Sequence, residues 1–116
     1  MLNYIGHPAL LDLLTDATVG INKVSIVSNL AETAKQTITW DSAVGTEGAT
    51  TPDDTGTVSM TVTPLVFDIT AGETVSSVGL YHDTILWGYI LFSSTYYFAN
   101  AGEFRLTDIT ISIGNA

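Results

Sequence analysis

The chain has 116 residues, of which 46% are hydrophobic and only 13% are charged. It is long enough for one domain with a hydrophobic core, and its composition excludes intrinsic disorder, which requires low hydrophobicity and high charge. The net charge of −9, with only three Lys and Arg residues, excludes the basic patch that nucleic acid requires and argues against binding to an anionic membrane surface.

Cysteine is absent, so the chain has no disulfide, no thiol chemistry and no cysteine-ligated metal. The N-terminus has no basic region ahead of its short apolar stretch, so we expect no signal peptide. The apolar runs are too short and too interrupted for a transmembrane helix. Because little charge is available to cover the surface, we expect some apolar surface to be buried against other chains.

The first predicted element is a short helix over residues 8–16. Pro8 suits the first turn of a helix, and the leucines that follow have helical spacing, at Leu10, Leu11, Leu13 and Leu14. A helix of two to three turns is marginal in water, so this one must pack against the rest of the domain.

After the helix, the pattern is that of short strands separated by turns. Residues 41–57 form a turn-rich loop, and Pro64 marks an edge, a bulge or a break between strands. The closing run from residue 104 to residue 113 alternates, with a change of phase near Thr107 that fits a bulge. This pattern predicts an all-β fold: a single domain over residues 1–116, built as an antiparallel β-sandwich or barrel-like sandwich of six to eight strands with one short N-terminal helix.

The pair His82-Asp83 is the first candidate for chemistry. Neighbouring residues on a strand point to opposite faces, so the two side chains cannot converge on one atom unless the chain turns there. The sequence "YHDT" joins two strong strand patterns, and Asp is common in turns because its side chain binds the backbone beyond it. We therefore interpret the pair as the tip of a hairpin rather than a catalytic site.

Motifs for other chemistry are missing from the sequence. The two histidines lie 75 residues apart and have no metal-binding spacing, and neither a serine nucleophile elbow nor a phosphate-binding loop occurs. The acids of "TPDDTG" do not match a calcium loop and are typical of an exposed turn. We predict a protein that is not an enzyme and that has no catalytic residue, cofactor or metal.

A dense aromatic band covers residues 81–98. On the strand over residues 85–93, Trp87 and Tyr89 share one face and Ile90 and Phe92 share the other, so both faces are apolar. Such a strand is either central between two packed layers or has one face against another subunit. The candidate interface residues are aromatic: Trp40, Trp87, Tyr89, Tyr96 and Tyr97. The predicted core is formed by Leu10, Leu14, Phe67, Val78, Leu80, Ile90, Phe92, Ile109 and Ile111.

The order of segments is itself informative. A leucine-rich helix, "ALLDLL", precedes the strands "KVSIVS" and "QTITW"; "VFDITAGETVSSVGLYHDTILWGYILFS" follows, and "GEFRLTDITISI" closes the chain. This order resembles that of small virion structural proteins of tailed bacteriophages, of the tail-fibre, minor structural and decoration types. The resemblance spans nearly the whole chain, although the sequence between Asp83 and Trp87 is shorter and less glycine-rich than the hairpin typical of the group.

The resemblance implies a virion component that assembles in the host cytoplasm. It would contact other virion proteins and copies of itself as a homo-oligomer, with a trimer favoured, and would bind neither a small-molecule substrate nor a membrane. A tail or fibre attachment and a capsid decoration role are both open. The alternative is a carbohydrate-binding adhesion module built on exposed aromatic rings, which the Leu and Ile residues between the rings disfavour.

Overall fold

The computed structural model describes residues 7–46, 55–61 and 63–113. One helix, α1 (His7–Leu14), is followed in the described residues by nine strands. The strands are β1 (Lys23–Ser28), β2 (Gln36–Thr37), β3 (Val44–Thr46), β4 (Thr55–Ser59), β5 (Leu65–Ile69), β6 (Thr74–His82), β7 (Ile85–Tyr97), β8 (Gly102–Leu106) and β9 (Thr110–Ile113). The all-β class with one short N-terminal helix is confirmed, and two of the nine strands have only two and three residues.

The strands form three antiparallel sheets. The largest has the order β2-β1-β6-β7, the second has the order β3-β4-β9, and the third is the pair β5-β8. Every pairing within them is antiparallel. The four-stranded sheet is one layer, and side chains from the other strands pack on it, as in a β-sandwich.

One hydrophobic cluster joins the sheets. From the four-stranded sheet, the core residues of β1 alternate, as expected for a strand with one face in the core, whereas those of β6 change phase at the bulge between Val75 and Ser77. The opposite layer contributes Phe67 and Ile69 from β5 and Leu106 from β8. The full cluster consists of Ile21, Val24, Ile26, Ile38, Met60, Phe67, Ile69, Val75, Val78, Leu80, Leu106 and Ile109.

The helix packs against β3, β4 and β9. Leu11 is its fully buried side chain, whereas Leu10 and Leu14 are half-buried and Leu13 is exposed. The prediction that Leu10 and Leu14 supply the core contacts of the helix is therefore wrong. A helix this short offers one narrow stripe to the sheet, and Leu11 with Thr15, four residues later, lies on it.

Three segments differ in detail from the sequence prediction. The loop expected over residues 41–57 begins and ends in paired strand, because β3 and β4 form a ladder with Val44 opposite Thr57; residues 47–54 lie outside the described residues. The closing run is two strands in different sheets, since β8 pairs with β5 and β9 pairs with β4. Pro64 lies between β4 and β5, as a break between two strands.

Candidate functional site

The most exposed apolar part of the described chain lies on β7. Seven large hydrophobic residues of this strand each expose between 43% and 77% of their surface. We call them the β7 surface: Ile85, Leu86, Trp87, Tyr89, Leu91, Tyr96 and Tyr97. Of the five candidate interface residues, the structure brings four together here.

The position of β7 in the sheet explains this exposure. β6 has β1 on one side and β7 on the other, whereas β7 is the last strand in the described sheet order. Among the residues that the structure describes, only one edge of β7 is paired, and the contact of Phe92 with Phe104 covers only a small part of the strand. The interpretation of β7 as a central strand between two layers is therefore wrong, because β7 is an edge strand.

The exposed residues lie on both faces of the sheet. Tyr89 is opposite Gly79 on β6, on the face that points away from the main core. Leu91 shares that face, since it lies two residues further along the strand. Tyr96 is opposite the buried Val75 and so lies on the core-facing side. The β7 surface thus surrounds the strand rather than forming one flat patch.

A bulge shifts the second half of β7 relative to β6. The register with β6 shifts between Val75 and Ser77, so that the four residues 92–95 of β7 oppose Ser76 alone. Within this bulge the ring of Phe92 stacks on Phe104 of β8, with centroids 5.2 Å apart. The ring of Tyr96 lies edge-on to both, at 5.8 Å and 5.7 Å. This aromatic cluster attaches β7 to the β5-β8 sheet and sets the direction of the strand.

The tip of the β6-β7 hairpin is held by the segment before β1. Asp83 has φ of 51°, a left-handed conformation that Asp adopts more readily than most residues. Its backbone N–H donates to Asn22 Oδ1 at 2.8 Å, and Asn22 Nδ2 donates to Asp83 Oδ1 at 3.0 Å. His82 Nδ1 lies 2.7 Å from the Gly20 carbonyl oxygen and must carry the proton, since a carbonyl only accepts. The pair is a structural hairpin tip, as the sequence indicates.

A group of polar contacts, which we call the polar clamp, lies on the face of the four-stranded sheet that points away from the main core. Glu32 Oε1 accepts hydrogen bonds from Ser25 Oγ at 2.8 Å and from the Tyr81 hydroxyl, and Lys35 Nζ lies 4.4 Å from the centroid of the Tyr81 ring. Burial, together with the hydrogen bond to the Glu32 carboxylate and its charge, raises the pKa of Tyr81 to about 12. A Cβ atom on Gly79 would lie 2.7 Å from Ser25 Oγ and 2.9 Å from Tyr81 Cε2, so only glycine leaves room for the clamp.

A buried carboxylate closes the base of the hairpin. Glu73 is 6% exposed; its Oε2 accepts the Thr70 backbone N–H at 3.0 Å, and its Oε1 accepts the Ser28 hydroxyl at 3.1 Å. Hydrogen bonds from Thr70, and to a smaller degree from Ser28, hold the pKa of Glu73 below its usual value against the opposing effect of burial. The backbone pairs Gly72 N with Phe98 O and Phe98 N with Glu73 O complete this end of the hairpin.

The described residues offer no concentrated chemistry elsewhere. Nowhere in residues 7–46, 55–61 and 63–113 do three or more His, Asp or Glu side chains lie close enough to share a metal ion. Two open cavities of about 200 and 170 Å³ lie between the β1-β2 connection and β5. The first is lined by Thr33, Ala34, Gln36, Val66, Phe67 and Asp68, and the second by Ala31, Glu32, Thr33, Asp68, Thr70 and Glu73.

Trp40 lies apart from the other candidate interface residues. It is half-buried against the main core, and its indole Nε1–H donates to the Ile21 carbonyl oxygen at 2.9 Å. Its backbone forms an isolated antiparallel bridge with Met60, which links the β2 segment to β4. These contacts place Trp40 between the sheets, and the β7 surface is formed without it.

Two side-chain hydrogen bonds in this region have no signal in the sequence. Glu32 and Tyr81 are 49 residues apart and Ser28 and Glu73 are 45 residues apart, so neither contact follows from local spacing. The exposed position of β7 did have a signal in the sequence, but that signal left two interpretations open. A long strand that is apolar on both faces and carries no charge fits either a central strand or an edge that another chain covers.

The comparisons with known proteins leave the family of this chain open. No family model, curated protein or solved structure matches it. Among the residues that the structure describes, no helix has the length and apolar character needed to cross a membrane. The resemblance to tailed-phage virion proteins therefore stays a prediction from the order of segments.

Proposed function

We propose that this chain is a non-enzymatic structural component of a tailed-phage virion, which assembles with itself and with other virion proteins through apolar sheet faces, above all the β7 surface, and through the N-terminal segment. The observation that carries the proposal is the exposure of seven large hydrophobic residues on one strand. The order of segments supports the virion class, and a tail or fibre attachment and a capsid decoration role are both compatible with it.

Energetics support burial of this surface in an assembly. Soluble monomers rarely expose contiguous apolar patches of more than a few hundred square ångströms, and larger ones mark contact sites. Each square ångström of apolar surface removed from water contributes about 25 cal/mol. No residue from 84 to 102 is charged, so a partner can cover β7 without burying an unpaired charge.

A smaller apolar area lies at the N-terminal end of the described chain. Leu13 of α1 is 58% exposed and Val19, just beyond the helix, is 52% exposed. These residues give the N-terminal segment apolar surface of its own. We propose it as the contact to other virion proteins, separate from the β7 surface.

The virion assignment is tested on particles. Phage particles purified on a density gradient from cells that carry the gene should contain the chain in many copies, counted by quantitative mass spectrometry. Substituting Leu13 by Lys should reduce this copy number, whereas Leu30→Lys, a change at an equally apolar and exposed site on the β1-β2 connection, should not. A chain recovered only outside the particles would overturn the proposal.

The alternative is a carbohydrate-binding adhesion module, and the exposed aromatic rings favour it. Trp87, Tyr89, Tyr96 and Tyr97 are between 44% and 68% exposed. A sugar platform needs rings on one face, however, and Tyr89 and Tyr96 lie on opposite faces of the sheet. Glycan-array binding that is lost in both Trp87→Ala and Tyr96→Ala would establish this alternative and replace the structural role.

A further inference from the structure

We infer that two copies of this chain pair edge to edge through β7 in antiparallel orientation, which joins their four-stranded sheets into one continuous sheet. The inference rests on the proposed function, because it names the partner that covers the β7 surface. The partner is a second copy of this chain, and the contact is a backbone ladder rather than packing of one sheet face on another.

The free edge of β7 favours the addition of another strand. β7 has 13 residues and is the terminal strand of the described sheet, so on one side its backbone N–H and C=O groups have no strand partner among the described residues. Natural proteins protect such edges with charged residues, proline or very short strands. Residues 84–102 contain no charge and no proline. An uncharged edge of this length is a template for another strand.

Exposed side chains on both faces of β7 favour edge pairing over packing on one face. Leu91 is the most exposed large hydrophobic residue of the β7 surface, at 77%, and lies on the same face as Tyr89. Tyr96 lies on the opposite face and is 50% exposed. A partner packed on one face would leave the other face in water. A strand added at the edge flanks side chains on both faces at once.

The absence of charge on β7 and its exposed apolar area favour a second copy of the chain as the partner. Two chains that each carry a charge of −9 repel one another except where their contact surfaces are uncharged, and β7 is such a surface. Its four aromatic residues, each about half exposed, provide on the order of 300–500 Å² per copy at ~150–250 Å² per aromatic ring, and its three aliphatic residues and the backbone of the edge add to this area. A stable interface needs about 800 Å² per partner.

Symmetry fixes the orientation of the pair. An isologous contact between two copies of one strand has a twofold axis, and in the antiparallel arrangement the residue on that axis faces its own copy. Neighbouring residues then face residues displaced equally in the other direction. All described strand pairs of this fold are antiparallel, and the antiparallel ladder is the more stable per residue.

The first experiment measures mass in solution. Sedimentation equilibrium of the full chain should give twice the chain mass of 12.3 kDa. Leu91→Lys places a positive charge from each copy in an otherwise uncharged contact and should weaken dimerisation at least tenfold. Leu30→Lys is the matched control, because Leu30 is 69% exposed but lies on the β1-β2 connection, and it should leave the mass unchanged. A far-ultraviolet circular dichroism spectrum unchanged in both variants shows that the fold is kept.

The second experiment locates the axis. The chain has no cysteine, so single substitutions at Gly88, Leu91 and Ser93 introduce the only thiols. Directly opposed Cα atoms in an antiparallel pair are ~4.5–5.5 Å apart, which a disulfide can span. Mild oxidation should cross-link one position along β7 at least tenfold more completely than positions two or more residues away, and a cysteine at Leu30 should not cross-link.

The outcomes separate the two proposals. A chain that oligomerises but keeps its mass in Leu91→Lys and shows no cross-linking maximum on β7 overturns edge pairing while leaving a structural role intact. A trimer, as the sequence favours, also overturns edge pairing, since a twofold contact closes with two copies. A chain that dimerises through β7 but is absent from purified particles supports edge pairing and overturns the virion assignment.

Discussion

β6 and β7 are neighbouring strands of one hairpin, yet they differ in solvent exposure. β6 is buried along most of its length, including Val75, Val78 and Leu80, whereas β7 is exposed along most of its length. Both strands are apolar, and they are hydrogen-bonded to each other. The difference is that β6 has a strand on each side and a layer over its core face, whereas β7 ends the described sheet.

The hydrophobicity of a strand alone therefore does not decide its role. In β6 the apolar side chains stabilise the fold of a single copy. In β7 only Ile90 and Phe92 pack against the core, whereas the seven residues of the β7 surface are exposed. Substitutions at matched positions on the two strands should therefore separate folding from assembly.

The largest contrast is expected for leucine truncation. Leu80→Ala removes a core side chain of β6 and should lower the free energy of unfolding by about 2–4 kcal/mol. Leu91→Ala on β7 should change it by less than about 0.5 kcal/mol when measured by urea denaturation and extrapolated to low protein concentration. Equal losses in the two variants would show that β7 is part of the single-chain core.

Two glycines provide the next contrast. Gly79→Ala on β6 would place a Cβ atom 2.7 Å from Ser25 Oγ and 2.9 Å from Tyr81 Cε2, and this overpacking should cost about 1–3 kcal/mol of unfolding free energy. A Cβ atom on Gly88 of β7 would meet nothing within 4 Å, so Gly88→Ala should stabilise by about 0.4–1 kcal/mol. Thermal unfolding of both variants measures the difference, and destabilisation by Gly88→Ala would contradict the open environment described for β7.

The prediction from sequence succeeded where the information was local. The interruption of strand at Pro64 and the hairpin turn at Asp83 follow from backbone preferences of single residues. The edge position of β7 depends on which strands pair, and pairing is decided by contacts across the whole chain. The Glu32–Tyr81 clamp joins residues 49 positions apart, so no local pattern predicts it.

Two tyrosines of the hairpin give a smaller contrast. Tyr81→Phe removes a hydroxyl that donates to the Glu32 carboxylate and should cost about 1 kcal/mol of unfolding free energy. Tyr89 is 53% exposed, so Tyr89→Phe should leave stability unchanged within the error of urea denaturation. Equal stabilities of Tyr81→Phe and the wild type would show that the hydrogen bond to Glu32 makes no net contribution.

The raised pKa of Tyr81 can be tested by measuring stability at alkaline pH. The pKa of Tyr81 is raised from 10.0 to about 12 in the folded chain, so the folded state holds the phenolic proton more tightly than the unfolded state does. This stabilisation is complete below about pH 10 and is lost as the pH rises towards 12. The stability difference between the wild type and Tyr81→Phe should narrow across that range, and a constant difference would contradict it.

The smallest effect is expected at the base of the hairpin, where Glu73 holds β6 and β7 together. The pKa of Glu73 lies below its ordinary value of 4.5, chiefly because Thr70 hydrogen-bonds the carboxylate. The stabilisation is therefore complete above that ordinary value and is lost as the pH falls through the lowered pKa. Glu73→Gln lacks this titration, so its stability should approach that of the wild type in acid, and a stability difference that stays constant across this range would contradict the role of Glu73.

Hydrogen exchange gives the local measurement for the same prediction. Phe98 N donates to the Glu73 carbonyl oxygen at 2.8 Å, and Gly72 N donates to the Phe98 carbonyl oxygen at 2.7 Å. If protonation of Glu73 loosens this end of the hairpin, the amides of Gly72 and Phe98 should lose protection in acid before those in the middle of β6 do, after correction for intrinsic rates. Simultaneous loss along β6 would instead mean that acid acts on the whole sheet, and that the base of the hairpin is no weaker than its buried centre.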